Sequence, residues 1–170
     1  GLKLANERLA VSFLRPKDGG GVYSVKDKRG YEFLKPRNTY GLWKVVLKPK
    51  FDPDAPRQEW RQISFDPEQN DGRDAKDDHA GGSVIDISPE NTDAEYDVEK
   101  HAHGFTLTWK NLAIGDEKGV LDVNVTCSLK KGDRFVRMRT SFDNRSTKHA
   151  VLYVYSPVLS HIYPADENFA

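Results

Sequence analysis

Residues 121–129 read Leu-Asp-Val-Asn-Val-Thr-Cys-Ser-Leu, an unbroken alternation of apolar and polar side chains. Side chains along a β-strand point to opposite faces of the sheet in turn, so this stretch predicts a strand with one buried and one exposed face. The only cysteine of the chain, Cys127, falls on the predicted buried face. We therefore expect it to act as a small buried hydrophobic residue rather than as a disulfide partner or a zinc ligand.

Two further strands are predicted directly after this one. Residues 136–142 alternate in the same way, and residues 150–155 are apolar on both sides. Short polar turns separate the three segments, which predicts an antiparallel meander. In the third strand we expect one face to carry Val151, Tyr153 and Tyr155.

Short alternating segments recur through the rest of the chain, at 9–13, 22–25, 42–47, 83–87 and 105–109. With about nine strands, frequent turn residues and no helical pattern, the chain is predicted to be all-β, a two-sheet antiparallel β-sandwich. The 170 residues suit a single domain, 1–170. Because the only methionine is internal and the chain ends on a polar stretch without a closing element, we expect this domain to be cut from a larger protein. Residues 66–82 lack large apolar side chains and are predicted to form a mobile acidic loop.

The charge composition argues against several classes of partner. Lys and Arg number 26, Asp and Glu also number 26, and the net charge is zero. Proteins that bind nucleic acid present a basic surface, so we expect no nucleic-acid partner. No run of about 18 apolar residues occurs, which predicts no membrane span.

Residues 2–13, Leu-Lys-Leu-Ala-Asn-Glu-Arg-Leu-Ala-Val-Ser-Phe, are followed by a glycine-led strand at 19–27 that ends in an aspartate turn. This arrangement resembles the opening of large bacterial glycoside hydrolases. Later segments are similar to the second half of the same domain, at 107–112, 121–129, 142–146 and 154–159. The resemblance covers most of the chain except residues 50–100, and its motifs are patterns of strand and turn rather than catalytic signatures.

The resemblance implies a β-supersandwich similar to galactose mutarotase, of the kind that usually precedes a catalytic (β/α)8 barrel. It further implies a non-catalytic N-terminal domain of a secreted or periplasmic glycoside hydrolase, in which no residue is catalytic. Its expected partners are a C-terminal catalytic domain of the same chain and a poly- or oligosaccharide. Three alternatives stay open: a free-standing carbohydrate-binding module, a fragment of a mutarotase-like epimerase or polysaccharide lyase, and a purely structural module.

One cluster of chemically active residues stands out before the 105–109 strand. Glu99, His101 and His103 occupy alternate positions, and the alternation continues into 105–109. On a single strand they would share one face, where two imidazoles and a carboxylate form a plausible metal set or an acid–base pair acting on a sugar hydroxyl. The competing interpretation is an ordinary strand end exposed to solvent.

Two other groups of residues are candidates for ligand binding. The acidic loop 66–82 offers oxygen ligands of the type that calcium prefers, although its spacing does not match an EF-hand. Aromatic rings stack on the apolar faces of sugars, and Trp60 and Tyr40 are the candidates for carbohydrate contact together with His101 and His103. Trp43 and Trp109 lie in strand patterns and are expected in the core.

Overall fold

The computed structural model describes residues 1–15, 18–34, 41–50, 84–92 and 95–157. Within these ranges the chain forms ten β-strands and no α-helix, which confirms the all-β prediction. No helix there has the length and apolar composition needed to cross a membrane. The strands are β1 (Lys3–Ala5), β2 (Leu9–Phe13), β3 (Val22–Asp27), β4 (Lys44–Pro49), β5 (Ile85–Ile87), β6 (Tyr96–His101), β7 (Gly104–Ile114), β8 (Glu117–Ser128), β9 (Arg137–Asn144) and β10 (His149–Tyr155).

The strands form three antiparallel sheets that make two layers. One layer is a four-stranded sheet in the order β6-β7-β8-β9, and the other strands form the sheets β1-β2-β3 and β10-β4-β5. Phe13 of β2 packs edge-on against Phe105 of β7, with ring centroids 5.1 Å apart. Trp43, just before β4, packs in the same way against Trp109 of β7 at 5.4 Å. Both small sheets therefore cover the same face of the large sheet, as expected for a β-sandwich.

The buried face of β8 lies at the centre of the core. Its inward residues Leu121, Val123, Val125 and Cys127 have no exposed surface, whereas the residues between them are partly exposed. Burial of each Val or Leu side chain contributes about 1.5–3 kcal/mol, so this strand anchors the sandwich. Burial also raises the pKa of the Cys127 thiol to about 12. The predicted roles of the 121–129 stretch and of its cysteine are both confirmed.

The predicted meander is wrong in its third strand. β10 pairs with β4 of the other layer rather than with β9, so the chain crosses from one layer to the other after Asn144. Val151 and Tyr153 were also predicted to share one face of this strand, but a bulge at Leu152 places them on opposite faces. Val151 lies opposite Leu47, while Tyr153 lies opposite Val46. Adjacent residues of β4 point to opposite faces, so Val151 and Tyr153 do so too.

β7 is longer than the alternation in its sequence predicted. The strand predicted at 105–109 continues as β7 to Ile114, and the turn before β8 is limited to Gly115 and Asp116. β7 remains paired across an irregularity at Asn111, whose positive φ of 58° is accompanied by a 2.7 Å hydrogen bond from its backbone N–H to Asp122 Oδ1. The strand predicted at 9–13 is β2 with the predicted bounds, and the strands predicted at 22–25, 42–47, 83–87 and 105–109 correspond to β3, β4, β5 and β7 with different ends.

Candidate functional site

The segment with Glu99, His101 and His103 is a tight hairpin rather than one strand. His101 ends β6 and pairs with Gly104, which begins β7, so Ala102 and His103 form the two-residue turn. A Cβ atom on Gly104 would lie 2.0 Å from the carbonyl oxygen of Cys127. Only glycine therefore lets β7 start this close to β8. The predicted single face through 105–109 is wrong, because Phe105 lies opposite Lys100 and not on the face of His101.

His101 belongs to a polar network on the outer face of the four-stranded sheet. Its Nε2 lies 2.9 Å from Thr106 Oγ1, which in turn lies 3.0 Å from Thr126 Oγ1 on β8. On the other side of the ring, Nδ1 lies 3.8 Å from Glu99 Oε1. The side chains of Glu99 and His101 are 77% and 41% exposed, so this network is accessible from solvent.

An open groove of about 550 Å³ lies beside this hairpin. One wall is the first strand β1 with the turn that follows it, and the other is the β6–β7 turn. Leu129 contributes to the groove and ties it to the hairpin, since its backbone N–H donates a 2.8 Å hydrogen bond to the carbonyl oxygen of His103. The polar side chains among its lining residues are mostly basic: Lys3, Lys100, His101, His103 and Lys131, with Asn6 and the carboxylate Glu7.

The wall on the β1 side is fixed by hydrogen bonds between two turns. Asn6 Nδ2 donates to the carbonyl oxygens of Lys130 and Asp133, at 2.8 and 2.9 Å. Glu7 Oε1 accepts a 2.9 Å hydrogen bond from the backbone N–H of Gly132. The β1–β2 turn is thereby attached to the β8–β9 turn, which holds the groove open against the hairpin.

No group of three or more His, Cys, Asp or Glu side chains is arranged to hold a metal ion in the described parts of the chain. The turn at Ala102 and His103 breaks the alternation on which the set of Glu99, His101 and His103 depended. A metal at these residues stays a prediction. The residues of the loop 66–82, where calcium was predicted, lie outside the described ranges.

A second cluster, not predicted from the sequence, contains a serine, a histidine and a glutamate. Glu117, at the start of β8, accepts hydrogen bonds from the Ser146 hydroxyl, from Thr147 N at 2.9 Å and from Thr147 Oγ1 at 2.8 Å. His149 Nδ1 lies 3.1 Å from Glu117 Oε2. The hydrogen bond from Ser146 is the main reason why the pKa of Glu117 falls from 4.5 to about 2. These four residues are called the Glu117 cluster below.

The geometry of the Glu117 cluster is that of a structural clamp. In a nucleophilic triad the serine and the carboxylate contact opposite nitrogens of the imidazole. Here both oxygens approach Nδ1 of His149, with Ser146 Oγ at 3.5 Å, and Ser146 is only 3% exposed. The Ser146 hydroxyl also accepts from the backbone N–H groups of His149 and Lys148, at 2.7 and 3.2 Å. The cluster therefore holds the crossover from β9 to β10 in place.

The aromatic candidates separate into buried and exposed residues. Trp43 and Trp109 are buried, at 0% and 1% exposure, as expected for core residues. Tyr40 and Trp60 lie outside the described ranges, so their contact with carbohydrate stays a prediction. Tyr155, opposite Lys44 on the outer side of the β10-β4-β5 sheet, is 47% exposed.

Comparisons of the chain with protein-family models, with curated proteins and with solved structures find no match. The resemblance to glycoside hydrolase domains therefore stays a prediction that rests on the residues quoted for it.

Proposed function

We propose that this chain is a non-catalytic β-sandwich domain of a secreted glycoside hydrolase, which supports the catalytic domain and contacts carbohydrate in the groove between β1 and the β6–β7 turn. The groove is the single observation that carries the carbohydrate contact. Its volume of about 550 Å³ is within the usual range for small-molecule sites. His101 and His103, the described residues expected from the sequence to contact carbohydrate, both line it.

The chemistry of the groove suits sugar hydroxyls. A hydroxyl group both donates and accepts hydrogen bonds, and imidazole, ammonium, amide and carboxylate groups supply both kinds of partner. His101, His103 and the groove lysines provide imidazole and ammonium groups along the groove, whereas the amide of Asn6 and one carboxylate oxygen of Glu7 are already hydrogen-bonded within its wall. Phe105 and Leu129 also line the groove, but they are only 2% and 4% exposed and belong to the core, so the groove presents mainly polar surface to a ligand. A mixed lining with a few polar groups is typical of sites that bind small polar ligands.

Support for the docking role comes from the exposed side chains of β10. Val151, Val154 and Tyr155 are 39%, 46% and 47% exposed, although they belong to a strand that pairs with the buried β4. Val151 and Val154 share one face of β10, opposite Leu47 and Val45, and Tyr155 lies on the other face, opposite Lys44. Because β10 is an edge strand, these exposed apolar side chains are available to a neighbouring domain. In the proposed enzyme, β10 would contact the catalytic domain.

An enzymatic role for the isolated chain has weaker support. An acid–base pair acts best in a site that excludes water, whereas Glu99 and His101 lie on an exposed sheet face. The other candidate, Ser146, is buried and donates its hydroxyl hydrogen to Glu117. We therefore place the chain with carbohydrate-binding accessory domains rather than with epimerases or lyases.

A glycan-array screen of the purified chain tests the proposal, with a double variant carrying His101→Ala and His103→Ala. We expect binding to one class of glycan and a loss of at least about tenfold in the double variant, because two lining side chains are removed. Tyr155→Ala serves as the comparison on the opposite layer and is expected to bind as the wild type does.

Two results would count against the proposal. If the wild-type chain binds no glycan on the array, the proposed carbohydrate contact is contradicted. Binding that is lost in Tyr155→Ala and kept in the histidine variant would move the site from the groove to the β10 face. Thermal unfolding of each variant shows whether a loss of binding reflects a loss of folded protein.

A further inference from the structure

We infer that the ligand of the groove is an acidic oligosaccharide, whose carboxylate or sulfate groups are bound by the lysines that line it. This inference rests on the proposed function and specifies its ligand class. The chain as a whole has a net charge of zero, so no general attraction for anions is expected. The groove differs from this average, because its charged lining residues are Lys3, Lys100, Lys131 and a single carboxylate, Glu7.

The one carboxylate of the groove is already engaged. Glu7 Oε1 accepts a hydrogen bond from Gly132 N at 2.9 Å and lies 3.9 Å from Arg8 Nε. Glu7 keeps its negative charge, so three lysines and one carboxylate leave the charged side chains of the groove with a net charge of +2. No hydrogen bond or ion pair to a carboxylate is found within the described residues for Lys3, Lys100 or Lys131. Three ammonium groups around one groove favour a ligand with negative charge.

Some lysines elsewhere on the protein have a carboxylate neighbour, whereas Lys28 and Lys118, like the lysines of the groove, have none among the described residues. Lys44, Lys110 and Lys148 lie 2.6, 3.4 and 2.6 Å from the carboxylates of Asp86, Asp97 and Asp116. A lysine with a carboxylate neighbour has much of its field cancelled locally. The positive electrostatic field of the groove lysines is not cancelled in this way, so it can attract an anionic ligand.

The volume and the lining of the groove favour a saccharide over an extended polyanion. Its lining mixes the basic groups with Phe105, Leu129 and the two histidines. Single-stranded nucleic acids are bound along longer basic grooves with stacked aromatic rings. A short acidic oligosaccharide matches both the volume and the mixture of charged and hydrogen-bonding groups.

The test compares matched ligands and matched variants by isothermal titration calorimetry. The ligands are an oligogalacturonate, its carboxyl-reduced neutral form, a sulfated oligosaccharide and polyglutamate of similar charge. The groove variant carries Lys100→Ala and Lys131→Ala. The control carries Lys28→Ala and Lys118→Ala, two exposed lysines that do not line the groove, so the net charge changes equally.

We expect one of the two acidic saccharides to bind, and which one binds identifies the anionic group. Each exposed ion pair is worth about two- to fivefold in affinity, so the groove variant should bind about tenfold more weakly. The control variant should bind as the wild type does, and added salt should weaken binding of the acidic ligand.

The outcomes separate this inference from the proposed function. Binding of the neutral form as tightly as of the acidic one overturns the inference and leaves the proposed function standing. Equal binding of polyglutamate, or an equal loss in both lysine variants, also overturns it, because charge alone would then explain the affinity. Silence with every saccharide overturns both.

Discussion

Replacing Ser146 by alanine is the sharpest test of the Glu117 cluster as a structural clamp. Ser146 is buried, at 3% exposure, and its hydroxyl makes three hydrogen bonds. It donates to the Glu117 carboxylate and accepts from the backbone N–H groups of His149 and Lys148, at 2.7 and 3.2 Å. Ser146→Ala removes all three and leaves two backbone N–H groups without this acceptor.

The expected loss of stability follows from these contacts. A hydrogen bond contributes about 0.5–1.5 kcal/mol when both partners are neutral and about 1.5–3 kcal/mol when one is charged. Some compensation by water is expected, so Ser146→Ala should lower the free energy of unfolding by about 3 kcal/mol. For a domain of this size the melting temperature should fall by roughly 6–12 °C.

Urea unfolding followed by tryptophan fluorescence measures the loss, since Trp43 and Trp109 are both buried and in contact. Ser141→Ala is the matched control, because Ser141 is exposed on β9, and its cost should stay within about 0.5 kcal/mol. A Ser146→Ala variant as stable as Ser141→Ala would refute the clamp. A variant of wild-type stability that lost a hydrolytic activity would instead identify Ser146 as a nucleophile.

Three further predictions concern pH, the cysteine and the hairpin glycine. The pKa of Glu117 is about 2 in the folded chain and near 4.5 when unfolded, so its stabilisation is complete above about pH 4.5 and is lost as the pH falls towards 2. The difference in melting temperature between wild type and Glu117→Gln should therefore shrink across that window; a constant difference would contradict the assignment. Cys127, buried and with its pKa raised to about 12, should react with a thiol reagent only after unfolding in urea, and rapid labelling of the folded chain would contradict its burial. Gly104→Ala, whose new Cβ would meet a backbone oxygen 2.0 Å away, should cost about 3 kcal/mol, whereas Gly132→Ala, with open space but a φ of 83°, should cost about 1 kcal/mol in the same urea assay.

The strands themselves were predictable because their signal is local. The alternation at 121–129 needs only the pleat of a strand and one apolar layer, and β8 buries its apolar residues as expected. The same rule placed Trp43 and Trp109 in the core. Partner choice is different, because it depends on residues distant in the sequence. β9 and β10 are joined by a short turn, yet β10 pairs with β4, about a hundred residues earlier.

The candidate site shows how a local rule fails at a turn. Glu99, His101 and His103 keep the alternation of the strand that follows, so nothing in the pattern marks where the chain reverses. After the two-residue turn, the odd-numbered residues of β7 lie on the other face of the sheet from His101. Phe105 therefore lies opposite Lys100. Sequence reasoning named His101 and His103 as candidates for sugar contact, but it joined them to the wrong face.

The Glu117 cluster and the basic groove were both missed from the sequence. Ser146 and His149 are three residues apart in a turn, a common spacing for side chain to backbone hydrogen bonds, but Glu117 lies about thirty residues away. Lys3, Lys100 and Lys131 are equally dispersed along the chain. Overall charge balance hides such a cluster, because a net charge of zero says nothing about where the charges lie.

The sequence by itself determined the all-β class, the existence of most strands and the burial of their apolar faces, because each of these follows from the alternation of neighbouring side chains. Only the tertiary structure decided that β10 joins the other layer, that the histidines sit at a tight hairpin beside a groove, and that the basic side chains of the groove come together. These features depend on contacts between residues far apart in the chain, which no local pattern encodes.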